Sequence, residues 1–326
     1  MASVQPAPPL NVSGYAWRAL RPDDREEIVS LRRACAEAHG DLLDCTPDFA
    51  DIFDAPRDPQ TFDAICAMTE LGHIAAIGWV RIDTLPDGYR AYLVGAVRPD
   101  HRNRGLGRAV LTWTEFRARQ LLRMLPQDRP AVIRIDFSDV RPDAERLYAR
   151  LGFLRWFRVH EMQRDLSSPI VDCLLPEGMR LVAWSAAHAQ TFHAVHEDAW
   201  SDRVGATPLD LTTWVAAWTG DDEFLPDASL VALDGDEGAA LILCHIERKT
   251  ETGWISKVGA RPCYRERGIA SALVTLALHS FREMGLAAAK LEVAEDNPNA
   301  RRVYERLGFA IVSHRTVYRK SVMPPS

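Results

Sequence analysis

Lysine is nearly missing: four of the 39 basic residues are Lys (Lys249, Lys257, Lys290 and Lys320) and the rest are Arg, a bias that points to a GC-rich bacterial genome. No apolar run reaches the roughly 20 residues that cross a bilayer, and Met1–Pro9 lacks the basic start and apolar core of a signal peptide. Cys35, Cys45, Cys66, Cys173, Cys244 and Cys263 show no CxxC spacing and no compact disulfide framework, so they read as reduced thiols of a cytoplasmic protein. There is no GxxxxGK[ST] loop for a nucleoside triphosphate, no GxSxG elbow for a hydrolase and no HExxH pair. His188, His193, His196 and Glu197 crowd one helical stretch in an order that fits a polar helix face, and no metal is expected. A formal net charge of −6 argues against general nucleic-acid binding. The 326 residues, 47% hydrophobic and 26% charged, fit an ordinary soluble protein of two domains of about 150 residues.

What the chain does have is one loop written twice. Arg265-Glu266-Arg267-Gly268-Ile269-Ala270 follows an apolar run that ends in Val258, Gly259 and Ala260, and precedes a helical pattern beginning at Ser271. Arg102-Asn103-Arg104-Gly105-Leu106-Gly107-Arg108 follows the run Tyr92–Val97, closed by Ala96 and Val97, and precedes another helical pattern. A glycine where a strand turns into a helix lets a ligand approach the backbone, and the first N–H groups of the helix have no partner inside it. Those donors, the helix dipole and the neighbouring arginines favour a phosphate diester. Both loops also share a downstream partner, Ala144 to Phe153 with Tyr148 and Ala300 to Phe309 with Tyr304. The glycines are offset by 163 positions (268 minus 105), a period of whole domains.

At these residues the sequence resembles the GNAT superfamily of N-acetyltransferases, in both halves. The loop signature is met by Arg102, Gly105 and Gly107 and by Arg265, Gly268 and Ala270, and the second signature by Asn297, Ala300, Tyr304, Gly308 and Phe309. The two-copy arrangement resembles the mycothiol synthase-like group of actinobacterial proteins. The resemblance implies an α/β fold (a mixed α+β sheet) of two tandem acyltransferase domains, each a mostly antiparallel, splayed sheet flanked by helices. It places an N-terminal domain at 14–166, a linker at 167–177 and a C-terminal, catalytic domain at 178–326. It implies acetyl-CoA held by both loops, and acetyl transfer to a small-molecule or peptide primary amine, by a monomer or homodimer with no nucleic-acid or membrane partner. The alternative is an acyl-CoA-binding regulatory or structural protein with one or both units catalytically inactive.

Deprotonating a lysine-like amine of pKa about 10.4 at pH 7 costs about 4.6 kcal/mol, so a base is needed. Tyr304 takes the general-acid role by resemblance, beside Asn297, which is also a good helix cap before Pro298. Relatives often carry a Glu on the strand before the loop; here Trp254-Ile255-Ser256-Lys257-Val258 has none. Glu247 and Glu292 are the candidate bases, each also readable as a solvated strand residue, and His245 is a further choice that is more often structural. The first copy has Arg141 where the second has Asn297; guanidinium has donors only, which puts that copy's catalysis in doubt.

In order, strands are expected at 14–20, 65–69, 74–83, 92–97 and 131–137, with a helix after Pro22 capped by Asp23 and Glu26 and ended by Gly40, an irregular acceptor region at 41–63, a turn Pro86-Asp87-Gly88, and a helix from Pro142 to Leu151 before a final strand. The order then repeats: strand 179–184, Ser185 as a cap, helices to Ala199 and over 209–218, a hairpin at 230–247, the motif strand and helix, a strand at 287–294 and a helix from Pro298.

Overall fold

A computed structural model of the chain describes residues 10–39, 58–85, 88–138, 142–201, 208–219, 222–248 and 250–322. Gly40, Cys45, Pro86, Asp87 and Arg141, on which parts of the reading above rest, lie outside the described residues, as does most of the 41–63 stretch. By contact the chain divides into two units, one of Met1–Arg158 with His314–Ser326 and one of Val159–Ser313.

In the first unit the elements run β1 (Ala16–Ala19), α1 (Arg25–His39), β2 (Phe62–Met68), β3 (Ile74–Leu85), β4 (Gly88–Val97), α2 (Leu106–Met124), β5 (Ala131–Ser138) and α3 (Pro142–Arg150). Its strands lie in the order β1-β2-β3-β4-β5, antiparallel except for the parallel pair β4/β5. Leu106, Val110, Leu111, Ala118, Leu121 and Leu122 recur at helical spacing and bury one face of α2 against this sheet. The sheet is closed by the chain's last strand, β12 (Ala310–Ser321), which pairs antiparallel with β5 from Arg315↔Ser138 to Ser321↔Val132.

The second unit repeats the plan. It begins in β6 (Leu154–Asp165) and continues through β7 (Met179–Ala183), α4 (Ala189–Trp200), α5 (Leu211–Thr219), β8 (Leu230–Asp234), β9 (Glu237–Glu247), β10 (Thr252–Ala260), α6 (Ile269–Glu283), β11 (Ala288–Ala294) and α7 (Pro298–Arg306). The strand order is β6-β11-β10-β9-β8-β7, with β10/β11 the one parallel pair among them. Ile242, Cys244 and Ile255 face Leu273, Ala277, Leu278 and Phe281 of α6. Leu241 and Leu243, on the other face of β9, meet Phe192 and Val195 of α4 and Trp214 of α5.

The units thus do not follow the two halves of the sequence. The strand expected to finish the first half, β6, pairs with β11 of the second unit from Ala288↔Asp165 to Ala294↔Val159, and β12 finishes the first unit. Local differences have local causes. The expected Asp23/Glu26 cap is not formed; Asp24 accepts the Arg21 N–H at 2.7 Å and is gripped by both terminal nitrogens of Arg18. Ser185 hydrogen-bonds His188 Nδ1 at 2.8 Å instead of a backbone amide. Asp210, not singled out in the sequence, caps α5 by accepting from Thr213 N at 3.0 Å and Thr213 Oγ1 at 2.6 Å.

Candidate functional site

Strand β10 is paired on both sides only at its start. Its parallel ladder with β11 runs from Thr252↔Ala288 to Ile255↔Leu291, after which β10 continues to Ala260 against β9 alone. The two strands part at Ile255, and the edge formed by Val258, Gly259 and Ala260 is left open toward the gap, as a main-chain docking edge must be. Val258 and Ala260 turn their side chains into the core beneath α6. Gly259 faces the other way, where an added Cβ would lie 2.8 Å from Trp200 Cη2. The same fork forms in the first unit, where β4 and β5 pair only from Tyr89↔Ala131 to Tyr92↔Arg134 and β4 runs on through Ala96 to Val97.

Each fork ends in the same turn. After Ala260 come a 3-10 turn, Pro262–Tyr264, extended Arg265, left-handed Glu266 (φ 63°) and left-handed Gly268 (φ 79°), which starts α6. After Val97 come Pro99–His101, extended Arg102, left-handed Asn103 (φ 61°) and left-handed Gly105 (φ 90°), which starts α2. No side chain caps either helix, and the space an added Cβ would take at Gly105 or Gly268 is open. The intrahelical ladder begins at Ala272 N→Gly268 O and Ala109 N→Gly105 O, each 3.1 Å. The amides of Ile269, Ala270 and Ser271, and of Leu106, Gly107 and Arg108, therefore precede it. The residues fit a diphosphate.

The arginines divide their work. Arg265 donates to Ala199 O at 3.1 Å and Arg102 to Val97 O at 3.2 Å, so these two brace the turn from beneath. Arg267 donates to Cys263 O at 2.9 Å and lies 5.0 Å over the Tyr264 ring; Arg104 donates to Asp100 O at 3.1 Å. Both stay exposed at the mouth, and Arg104, Gly105 and Arg108 line a cavity of about 400 Å³ with Leu10–Ser13.

Tyr304 is buried on α7, its ring edge-on to Phe309 at 6.2 Å, and its carbonyl accepts from Leu307 N and Phe309 N at 3.0 Å. The capping role of Asn297 is realised: Oδ1 accepts Ala300 N at 3.1 Å. Glu247 lies opposite Thr252, well before the strands part, and accepts the Thr250 hydroxyl at 2.6 Å. Glu292 is exposed and follows Leu291, the last residue of β11 paired to β10, so it stands at the fork. His245, a further choice of base in the sequence, has neighbours at the fork that no motif marked. Ser256 Oγ is 2.6 Å from His245 Nδ1, and the Lys257 ammonium lies 5.4 Å over Trp218 and 5.6 Å over Trp200. His193 bonds Leu209 O at 2.7 Å, while His196 stacks on Trp200 at 4.7 Å. Burial holds the His196 imidazole below its usual pKa; Glu197 opposes this and the Lys257 charge adds to it.

The first unit fills the corresponding ground with its own side chains. Arg134, beside the fork, is bidentate to Asp136 at 2.7 and 3.1 Å and lies over Tyr92, Trp156 and Phe157 at 5.4–5.9 Å. Tyr148 is buried edge-on to Tyr318 at 5.0 Å, and burial pushes its phenol well above the usual range.

A forked mixed sheet with an anion turn at its end is an acyltransferase architecture, and the chain carries it twice. Residues 190–309 match the model of the Acetyltransferase (GNAT) family, and residues 64–155 that of the Acetyltransferase (GNAT) domain. A mycothiol acetyltransferase of Thermomonospora curvata is 30% identical over 71% of this chain and 74% of its own; one of Salinispora arenicola is 27% identical over 93% and 95%. The crystal structure of a GCN5-related N-acetyltransferase from Sphaerobacter thermophilus shares the fold, with a TM-score of 0.78 at 23% identity over 96% of this chain and 97% of that one. The chain belongs to the GNAT family, as a tandem N-acetyltransferase, and is an acyltransferase enzyme. Among the described residues no helix is long and apolar enough to cross a membrane.

Proposed function

We propose that the second unit transfers the acetyl group of acetyl-CoA directly to a primary amine of a small molecule or peptide. The observation that carries this reading is one strand, β10, whose edge opens at Ile255 and which leads to bare helix amides after Gly268. The amides of Ile269, Ala270 and Ser271 take the diphosphate, Arg267 adds charge at the mouth, Arg265 fixes the turn, and Val258, Gly259 and Ala260 line the arm. Acetyl-CoA is the donor substrate and supplies the activated acetyl group. Tyr304 donates a hydrogen bond from its phenol to the departing sulfur, a bond that strengthens as negative charge develops on leaving. Asn297 fixes the start of the helix that carries Tyr304. Of the two carboxylates, Glu292 is the one at the fork.

The first unit keeps the anion turn, and we assign it acetyl-CoA binding without turnover. The Arg134–Asp136 pair and its aromatic neighbours favour this, because they pack beside that fork, where Tyr92 leaves β5. The test is titration calorimetry with acetyl-CoA, followed by thiol release in the presence of primary amines. Amines related to mycothiol come first, since relatives carry that activity in their name. Binding with thiol release supports the transferase. Binding with none across the panel supports a CoA-binding regulatory protein instead.

A further inference from the structure

Glu247, Glu292 and His245 are the candidates for removal of the amine proton, and β10 offers the last of them a partner that its ladders skip. Pairing with β9 passes from Ile255↔Cys244 directly to Lys257↔Leu243, and pairing with β11 has already ended at Ile255↔Leu291. Ser256 is therefore a bulge residue placed where the strands part, a common means of re-aiming a side chain at an active site. The internal repeat shows it to be one residue more than the first copy has at this point. The pair Trp254↔Lys290 corresponds to Tyr92↔Arg134 at an offset of 162 (254 minus 92), whereas the glycines beyond the bulge are offset by 163. In the first unit the β3/β4 ladder is unbroken from Leu85↔Gly88 to Ala76↔Val97. Arg81, the partner of Tyr92 and bound to Asp83 at 3.0 Å, stands there where His245, the partner of Trp254, stands in the second. The extra serine bonds that histidine, Oγ to Nδ1 at 2.6 Å, and Trp218 and Phe224 hold the ring edge-on at 6.0 and 5.3 Å.

From this arrangement we infer that Ser256 and His245 form the proton-accepting pair for the acceptor amine; the inference rests on the transferase reading above. The neutral amine nitrogen bonds the thioester carbonyl carbon and the carbon–sulfur bond breaks, its electron pair leaving on sulfur. One amine proton passes to Ser256 Oγ as the serine proton passes to His245 Nδ1, and sulfur takes its proton from Tyr304. Exchange with water then returns imidazolium and phenolate to their starting states. Among the described residues, the charged groups around the ring include Lys257 and His196 across Trp218, Glu247 further along β9, Glu223 beside Phe224, and Glu292 over the fork.

The experiment compares wild type with Ser256→Ala, Ser256→Thr and His245→Gln. Turnover is read as thiol release with the fastest amine of the panel, or with water where no amine is faster, from about pH 6 to about pH 9. Ser256→Ala and His245→Gln are expected to lower kcat/KM by about 100-fold, Ser256→Thr to recover most of it, and acetyl-CoA affinity by calorimetry to stay unchanged in all three, which also reports that they fold. The acid limb of the wild-type profile disappears in His245→Gln. A second reading needs no turnover: a hydroxyl that donates to Nδ1 favours the neutral ring, so Ser256→Ala raises the pKa of His245 in the free protein by NMR. A fall or no change there overturns the proposal, as does an acetyl group found on Ser256 by intact mass. So does an acid limb that survives His245→Gln and vanishes in Glu292→Gln. Acetyl-CoA bound with no thiol release to amine or water overturns the transferase reading, and this proposal with it.

Discussion

Asn103 and Glu266 hold the same left-handed backbone conformation, φ 61° and 63°, at the same step of two turns. Asparagine tolerates this region and glutamate does not, so Glu266 carries strain and also sets a carboxylate beside an anion turn. Glu266→Asn should raise stability by about 0.5–1 kcal/mol in urea unfolding and tighten acetyl-CoA binding by calorimetry. Weaker binding would show that the carboxylate serves the cofactor.

The pairing of β12 with β5 makes an unusual demand on the C-terminus. Truncation after Ser313 should strip the first unit of an edge strand that carries buried Val317 and Tyr318, while β10 and β11 stay intact. Hydrogen exchange should show lost protection in Ala131–Ser138 and retained protection in Ala288–Ala294. Equal loss in both would contradict the division into units.

His196 should make stability depend on pH. Its folded pKa lies below the unfolded value because the ring is buried, with Lys257 adding to the shift and Glu197 opposing it. The unfolded chain then binds the extra proton, so this contribution is fully present above about pH 6.5 and is lost as pH falls through the lower folded value. The urea midpoint should drop from about pH 7.5 to about pH 5.5 more in wild type than in His196→Phe, which keeps the stack on Trp200.

Cys263 is the exposed thiol of the turn, with its carbonyl bonded to Arg267, whereas Cys35, Cys66 and Cys244 are buried and burial pushes the Cys66 thiol up to about 11. A thiol reagent should label Cys263 well ahead of these three, and acetyl-CoA should slow that labelling. Labelling indifferent to acetyl-CoA would place the ligand elsewhere.

Much of this was legible in the sequence, because repetition reads directly: the two glycine turns, the strands before them and the helices carrying Tyr148 and Tyr304 are all where the duplicated motifs put them. The exchange of last strands was not. β6 and β12 close equivalent sheets, and alternation says which face a strand buries, not which of two similar sheets receives it. The bulge at Ser256 was likewise hidden, since one added residue reads as continuous strand until a register is known. Asn297 shows the converse case, because capping chemistry is local and an Asn just before Pro298 is a typical N-cap; Asp210 caps by the same chemistry but was hidden, since the helix expected over 209–218 enclosed it.

Thiol release by Gly268→Val, set against Gly105→Val, tests the central claim most directly. A branched side chain at φ 79° distorts the turn and fills the space over the bare amides. Gly268→Val should lose turnover and one of two acetyl-CoA sites, while Gly105→Val loses the other site and keeps turnover. Full turnover by Gly268→Val would contradict the placement of the transferase in the second unit.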